Sequence, residues 1–306
     1  MKQINEDFVT IRNESLEIKV KSLGAELTSL KTISDNCEYL WQGDVKYWTG
    51  QSPILFPIVG RVENNKYKID DKEYELGIHG FAMNSEFILT EKLNNSLTYK
   101  LCSNSETLKK YPYKFELGIK YKLEKKELAV SFEVKNVDNK MIWFSIGAHP
   151  GFNCPLDKNE SFDDYSLIFE HNETVNRLLL DGGLCLMTNG EESFLNNEKE
   201  IKLSAKLFEK SAIILKKLKS NKITLKSKKC KKNVSVMFAG FPYLGIWTMP
   251  NAPYVCIEPW YGLPSTKGQD ADLKTKEGIL SLEPEKTFQC LYKIIIGNLS
   301  NDNADE

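Results

Sequence analysis

The segment Pro53-Ile-Leu-Phe-Pro-Ile-Val-Gly-Arg61 leads through Lys66-Tyr-Lys-Ile-Asp-Asp-Lys-Glu-Tyr-Glu-Leu76 to Gly77-Ile-His-Gly-Phe81. Its middle part alternates: Tyr67, Ile69, Tyr74 and Leu76 are separated by polar residues, and Asp70-Asp71-Lys72 lies between the two arms. Period 2 means strand, and acidic residues that tolerate left-handed backbone suit a tight hairpin turn. The flanks carry Arg61 and His79, each next to a glycine where an apolar run stops. Strand ends of that kind hold side chains on a rigid frame while the loop stays free to meet a ligand, so the segment reads as one wall of a binding site.

The same period recurs outward in both directions. Residues 7–30 read as three short strands. Further strand-like runs cover 87–90, 97–101, 115–123, 127–136, 142–146, 165–169, 201–203, 212–218, 222–226, 234–238, 243–248, 254–258 and 287–297. Helical signal is confined to possible single turns at Leu207–Lys210 and Ala271–Leu273. Many short strands without helical periodicity indicate an all-β architecture. With no repeat, no linker and no break in composition, the chain reads as one domain over 1–306, its polar tail 298–306 frayed.

Composition narrows the function. Lys and Arg number 41 against 42 Asp and Glu, a net charge of -1, which gives no electrostatic reason to expect nucleic acid or an acidic membrane surface as partner. The seven cysteines have no paired CxxC spacing and fit free thiols in a reducing compartment. Neither a signal peptide nor an apolar run long enough to span a bilayer is present, so a cytoplasmic location is expected. Residues 216–232 hold nine lysines and no acid. Lacking aromatic or Arg residues, they read as the solvated face of an edge hairpin rather than a phosphate-binding patch.

Three positions could carry chemistry besides Arg61. His79 and His149 share a setting, Gly-Ile-His79-Gly-Phe and Gly-Ala-His149-Pro-Gly-Phe, at strand ends among small residues. One such histidine reads as structural; two raise a joint role. His171, in a polar stretch, reads as an exposed loop residue. In Val255-Cys-Ile-Glu258-Pro-Trp260-Tyr261-Gly, a carboxylate ends an apolar strand. It is either a half-desolvated general base or a strand-end partner of a basic residue. Trp260 and Tyr261 could stack on a sugar ring or pack in the core. A zinc site from His79, His149 and Glu258 has no HExxH-type spacing, and Cys256 is expected on the opposite face from Glu258. No GxSxG, GxGxxG or P-loop occurs.

Taken in order, Phe56-Pro-Ile-Val-Gly-Arg61, His79-Gly-Phe81, Ala148-His-Pro-Gly-Phe152 and Glu258-Pro-Trp260 resemble the aldose 1-epimerase (galactose mutarotase-like) family, nearest its bacterial LacX-like branch. Glu38-Tyr-Leu-Trp41 and Tyr47-Trp48 also match that branch, and the resemblance covers nearly the whole chain. It implies a large antiparallel β-sandwich that binds a small-molecule sugar and interconverts its α and β anomers without cofactor or metal. Glu258 falls on the family's general base and His149 on its general acid, with His79 and Arg61 on sugar-binding positions that line the same cleft. One departure stands out: where family members commonly have Asp after a Leu-Phe motif, this chain has Ser211. A hydroxyl cannot offer a bidentate charged acceptor to two sugar hydroxyls. A non-catalytic sugar-binding protein and a sugar-phosphate mutarotase therefore stand beside the mutarotase reading, and the sequence sets no oligomeric state.

Overall fold

The computed structural model describes residues 8–182 and 185–298. It is built on one antiparallel sheet of 15 strands. From one edge the strands follow the order Ile54–Leu55, Ile146–Ala148, Tyr254–Tyr261, Tyr243–Trp247, Ile213–Lys216, Tyr165–Asp181, Lys222–Ser227, Lys232–Met237, Thr287–Asn298, Glu127–Asn136, Phe115–Glu124, Ser96–Cys102 and Ile88–Lys92. Gly151–Asn153 also pairs with Tyr254–Tyr261, and Leu186–Lys202 with Tyr165–Asp181. A separate three-stranded sheet, Phe8–Arg12, Leu16–Lys21 and Leu27–Thr32, packs Val9, Ile11, Leu16 and Ile18 into the same core as Leu97, Tyr121 and Phe132. Tyr121 ties the two together by donating its hydroxyl to the Ala25 carbonyl at 2.7 Å.

Strands with clean alternation fold as the pattern requires. Phe115–Glu124 buries every second residue, Phe115, Leu117, Ile119, Tyr121 and Leu123, and turns Lys120, Lys122 and Glu124 to solvent. In the Lys66–Ile69/Lys72–Glu75 hairpin, Asp70 and Asp71 both adopt positive φ, 48° and 62°, as the short turn demands.

Four expectations need correction. Tyr165–Asp181 and Leu186–Lys202 form a hairpin of two 17-residue strands, of which the sequence signals only the ends. Register shifts within it and polar residues on both faces erase the period of 2. His171 therefore lies in a strand, although exposed as expected. The lysine-rich segment is not at an edge: Lys222–Ser227 and Lys232–Met237 are interior strands of the large sheet. Lysines of the segment reach outward to acids, Lys232 to Asp35 at 3.1 Å and, from the turn between the two strands, Lys229 to Asp164 at 2.6 Å. Finally, 142–146 divides at Ser145, because Ile142–Phe144 pairs with Leu280–Leu282 and Ile146–Ala148 joins the large sheet. A helix at Ser105–Lys110, capped by Asn104 and Thr107, has no counterpart in the sequence reading. The single turns expected near 207–210 and 271–273 occur as 3-10 turns at Ala205–Phe208 and Leu273–Thr275. Of the polar tail 298–306, Asn298 ends the strand Thr287–Asn298 and 299–306 fall outside the described residues, among which no helix is long and apolar enough to cross a membrane.

Tyr254–Tyr261 decides where the candidate site sits, because seven of its eight residues are buried on one face or the other. Val255 and Ile257 enter the main core. On the other face Tyr254 and Cys256 join a cluster with Trp41 and Ala252, while Trp260 joins Leu55, Val59, Ile214 and Leu263. Glu258 lies between these two apolar clusters, and that position is what removes it from water.

Trp260 is seated against two glycines. A Cβ on Gly147 would lie 2.6 Å from its Cδ1, and one on Gly245 would lie 2.6 Å from its Cζ2. Gly245→Ala should therefore lower stability by about 1–3 kcal/mol through overpacking, read as a reduced urea midpoint at unchanged slope; a wild-type midpoint would show that the ring has room to move.

Candidate active site

Each of the two histidines is fixed by its backbone. His149 donates its N–H to Pro53 O at 3.1 Å, and Ile257 donates to Pro150 O at 3.2 Å, so the His149–Pro150 segment is stitched between the Pro53 loop and the Glu258 strand. His79 sits at φ 62° between Gly60 and Gly80. Its N–H donates to Gly60 O at 2.7 Å, and its Nδ1 accepts the Gly60 N–H at 3.1 Å. Gly80 must be glycine: at φ 76° a Cβ would lie 2.3 Å from Phe56 O.

The side chains so placed converge. His149 Nε2 and Glu258 Oε2 are 3.3 Å apart, and both residues are buried. Among the described residues, neither Glu258 Oε2 nor His149 Nδ1 finds a hydrogen-bond partner. The His79 ring meets the His149 ring edge-on at 5.4 Å. Arg61, on the other side of Gly60, donates to Asn65 Oδ1 at 2.7 Å and leaves a buried Nε without a partner. Unpaired polar atoms gathered in one place are unusual in a folded interior and mark a place prepared for a ligand's polar groups.

The electrostatics follow from burial. Loss of water raises the Glu258 carboxyl well above the usual carboxylate range and lowers the His149 imidazole well below its ordinary value, with His79 adding to the latter. Burial thus favours the uncharged form of each group, a protonated carboxyl beside a neutral imidazole. Burial, with the Arg61 guanidinium close by, brings His79 down to about 4. A neutral His79 whose Nδ1 accepts from Gly60 must carry its proton on Nε2, which makes it a fixed donor.

The structure departs from the sequence reading at three residues. Trp260 is 3% exposed, and its ring lies against Gly147 and Gly245, so it cannot be the stacking platform expected of it. Ser211 stands just before Ile213–Lys216, two strands away from Glu258, or about 10 Å across the sheet. Its hydroxyl donates to its neighbour Ala212 O at 3.2 Å, and no hydrogen bond among the described residues joins it to the histidines or Glu258. Cys256 shares a face with Glu258, since residues two apart in a strand point the same way. Its Sγ, and not a His79 nitrogen, completes a group of possible metal-binding atoms with His149 and Glu258, all within 4.8 Å of one another.

Two aromatic residues escaped the sequence reading as site residues. Trp48 lies over the His149 ring at 4.9 Å and Trp247 meets it edge-on at 5.6 Å, both half-buried. Trp247 lies two residues beyond Gly245, which pairs with Glu258, and therefore on the same face, a register that no local sequence signal gives.

Comparison with known proteins now bears on this arrangement. Residues 7–271 match the family model described as aldose 1-epimerase. The chain belongs to the aldose 1-epimerase family. Among curated relatives, this epimerase-family chain is 39% identical over 299 residues to the chromosomal protein LacX of Lactococcus lactis subsp. lactis, a match covering 95% of this chain and 99% of the relative. Among solved structures, a galactose mutarotase related enzyme from Lactobacillus acidophilus superposes with TM-score 0.91 at 35% identity, covering 96% of this chain and 98% of that one. A galactose mutarotase-like protein from Lactobacillus casei gives TM-score 0.89 at 33% identity, covering 94% and 99%. The aldose 1-epimerase family thus accounts for the all-β architecture and its one large antiparallel sheet.

Nitrogen NMR of the imidazoles tests the electrostatics. His79 should remain the neutral Nε2–H tautomer until the pH falls to about 4. The unfolded chain would titrate near 6.5, so between those values acid should favour unfolding. Arg61→Gln should move the His79 midpoint upward; a His79 that titrates near 6.5 would contradict the assignment.

Proposed function

We propose that this protein is an aldose 1-epimerase acting on a free sugar in the cytoplasm, with Glu258 as general base and His149 as general acid. The observation that carries the reading is the buried, hydrogen-bond-free contact of Glu258 and His149 at 3.3 Å. Anomer interconversion moves protons at two oxygens attached to a single carbon, so its acid and base must be close neighbours with opposite protonation states. A pair sharing one proton meets that demand.

In the reacting form that proton sits on His149 and Glu258 is a carboxylate. Glu258 takes the proton from the anomeric hydroxyl while His149 gives its own to the ring oxygen. The bond from C1 to the ring oxygen breaks, and C1 and its hydroxyl oxygen become an aldehyde. Rotation about C1–C2 presents the other face, and the same two transfers in reverse close the ring, leaving each side chain as it began. The Nε2–H of His79 and the Arg61 guanidinium suit sugar oxygens as neutral and charged donors. Trp48 and Trp247, not Trp260, have ring surface free to lie against the apolar side of a pyranose.

Charge favours a free sugar over a sugar phosphate. Arg177 pairs with Glu192 and lies over the Phe194 ring at 5.7 Å, and Arg12 belongs to the separate three-stranded sheet. Lys216 pairs with Glu191 at 2.8 Å. Arg61 is left as the arginine of this site.

Polarimetry of freshly dissolved α-glucose and α-galactose should show faster mutarotation with the protein than without. Glu258→Gln should reduce the acceleration by about a hundredfold or more, and binding of sugar without acceleration for any aldose would leave a non-catalytic sugar-binding protein instead. Glucose 6-phosphate should react more slowly than glucose. The pH–rate profile should fall on the acid side below the ordinary imidazole value, as His149 and Glu258 both become protonated, and on the alkaline side above the ordinary carboxylate value, as the shared proton is lost.

A further inference from the structure

Cys256 has no part in the proton transfers described above, yet its thiol faces them. His149, Cys256 and Glu258 bring an imidazole nitrogen, a sulfur and a carboxylate oxygen within 4.8 Å of one another, all three residues buried. The Nε2 to Oε2 distance of 3.3 Å is not a hydrogen bond. It agrees with the separation of about 3.4 Å between two ligands of one tetrahedral zinc ion, each about 2.0–2.2 Å from the metal. One ligand atom from each of the three residues lies within 4.8 Å of the others, so closing on one ion of that size needs shifts on the order of 1 Å.

We propose that His149, Cys256 and Glu258 form a binding site for a thiophilic divalent cation, Zn2+ in particular, whose occupation blocks the acid–base pair. Binding transfers the thiol proton of Cys256 and the carboxyl proton of Glu258 to solvent, and the imidazole enters neutral. Two anionic ligands then offset the two charges of the ion, so the buried site gains no net charge. Three protein ligands leave a fourth position for water, the pattern of an open zinc site. The ion is exchangeable rather than resident: His149 Nδ1 has no partner, whereas a firmly held zinc ligand normally donates its second nitrogen to a carbonyl or carboxylate. A proton-transfer pair beside a thiol is thereby open to inhibition by a trace metal.

The test uses the intact chain and the metal alone. Titration of Zn2+ against a chromophoric chelator should show one equivalent bound and released by excess EDTA. Cys256→Ser and Cys256→Ala, with folding checked by circular dichroism, should each weaken it by more than about 100-fold, since even a partner outside the ligand shell is worth about 10–100-fold. X-ray absorption on the wild-type zinc form needs no variant. It should show a single sulfur at about 2.3 Å with nitrogen and oxygen neighbours at about 2.0 Å. Unchanged affinity in both folded variants, no bound equivalent in the wild type, or a shell without sulfur or with several sulfurs would overturn the proposal. Adding glucose separates this inference from the sugar reading: zinc that binds through Cys256 but is not displaced by sugar supports the metal site and counts against the sugar site.

Discussion

A carboxyl group and an imidazole, 3.3 Å apart and shut away from water, with Glu258 Oε2 and His149 Nδ1 unpartnered among the described residues, are an arrangement that a stable interior normally avoids. Leaving one such group unsatisfied costs about 1–3 kcal/mol, and more if it is charged. The remainder of the sheet makes the arrangement tolerable by holding it in place. Glu258 cannot retreat to solvent, because the apolar clusters around Cys256 and Trp260 close on it from both sides along its own strand. His149 cannot swing away, because its backbone is bonded to Pro53 and that of Pro150 to Ile257. Polar atoms kept unsatisfied by a rigid frame are ready for a ligand and need no rearrangement to meet it.

Packing around Trp260 has the same logic at longer range. Gly147 and Gly245 belong to the strands on either side of it, and both lack the Cβ that would meet its ring. The ring fills the space under the Glu258 strand and fixes how that strand lies on its neighbours. An aromatic residue next to a candidate base therefore contributes geometry, while the less buried Trp48 and Trp247 rings lie around His149.

Much of this was legible from residue order because local rules and the final fold agree in most of the chain. Alternation in Phe115–Glu124 and the Asp70-Asp71 turn needed no tertiary information. Arg61, His79, His149 and Glu258 stood out because glycines and prolines mark the ends of the strands that carry them. What sequence did not reveal was governed by partners distant in the chain. The hairpin of Tyr165–Asp181 and Leu186–Lys202 is held by its own pairing across bulges, with Glu and Asn on both sides, so no period survives to be read. The burial of Trp260 depends on two glycines in other strands, and the place of Trp48 on a loop that returns to His149. Cys256 is different in kind: the pleat alone puts it on the Glu258 face, and its position needed only the two-residue count.

The stitching of His149 has a kinetic meaning as well. Pro53, His149 and Ile257 come from widely separated parts of the chain, yet two backbone hydrogen bonds join their segments at the point where the imidazole faces the carboxyl. No early-forming hairpin contains both groups. During synthesis the pair cannot exist until the Tyr254–Tyr261 strand has emerged and inserted between Ile146–Ala148 and Tyr243–Trp247. Contacts of such high order form late, after the loop-closure entropy of most of the chain has been overcome. A nascent or truncated chain lacking that strand holds a histidine without its carboxyl partner, so the chemistry of the pair appears only with the nearly complete sheet.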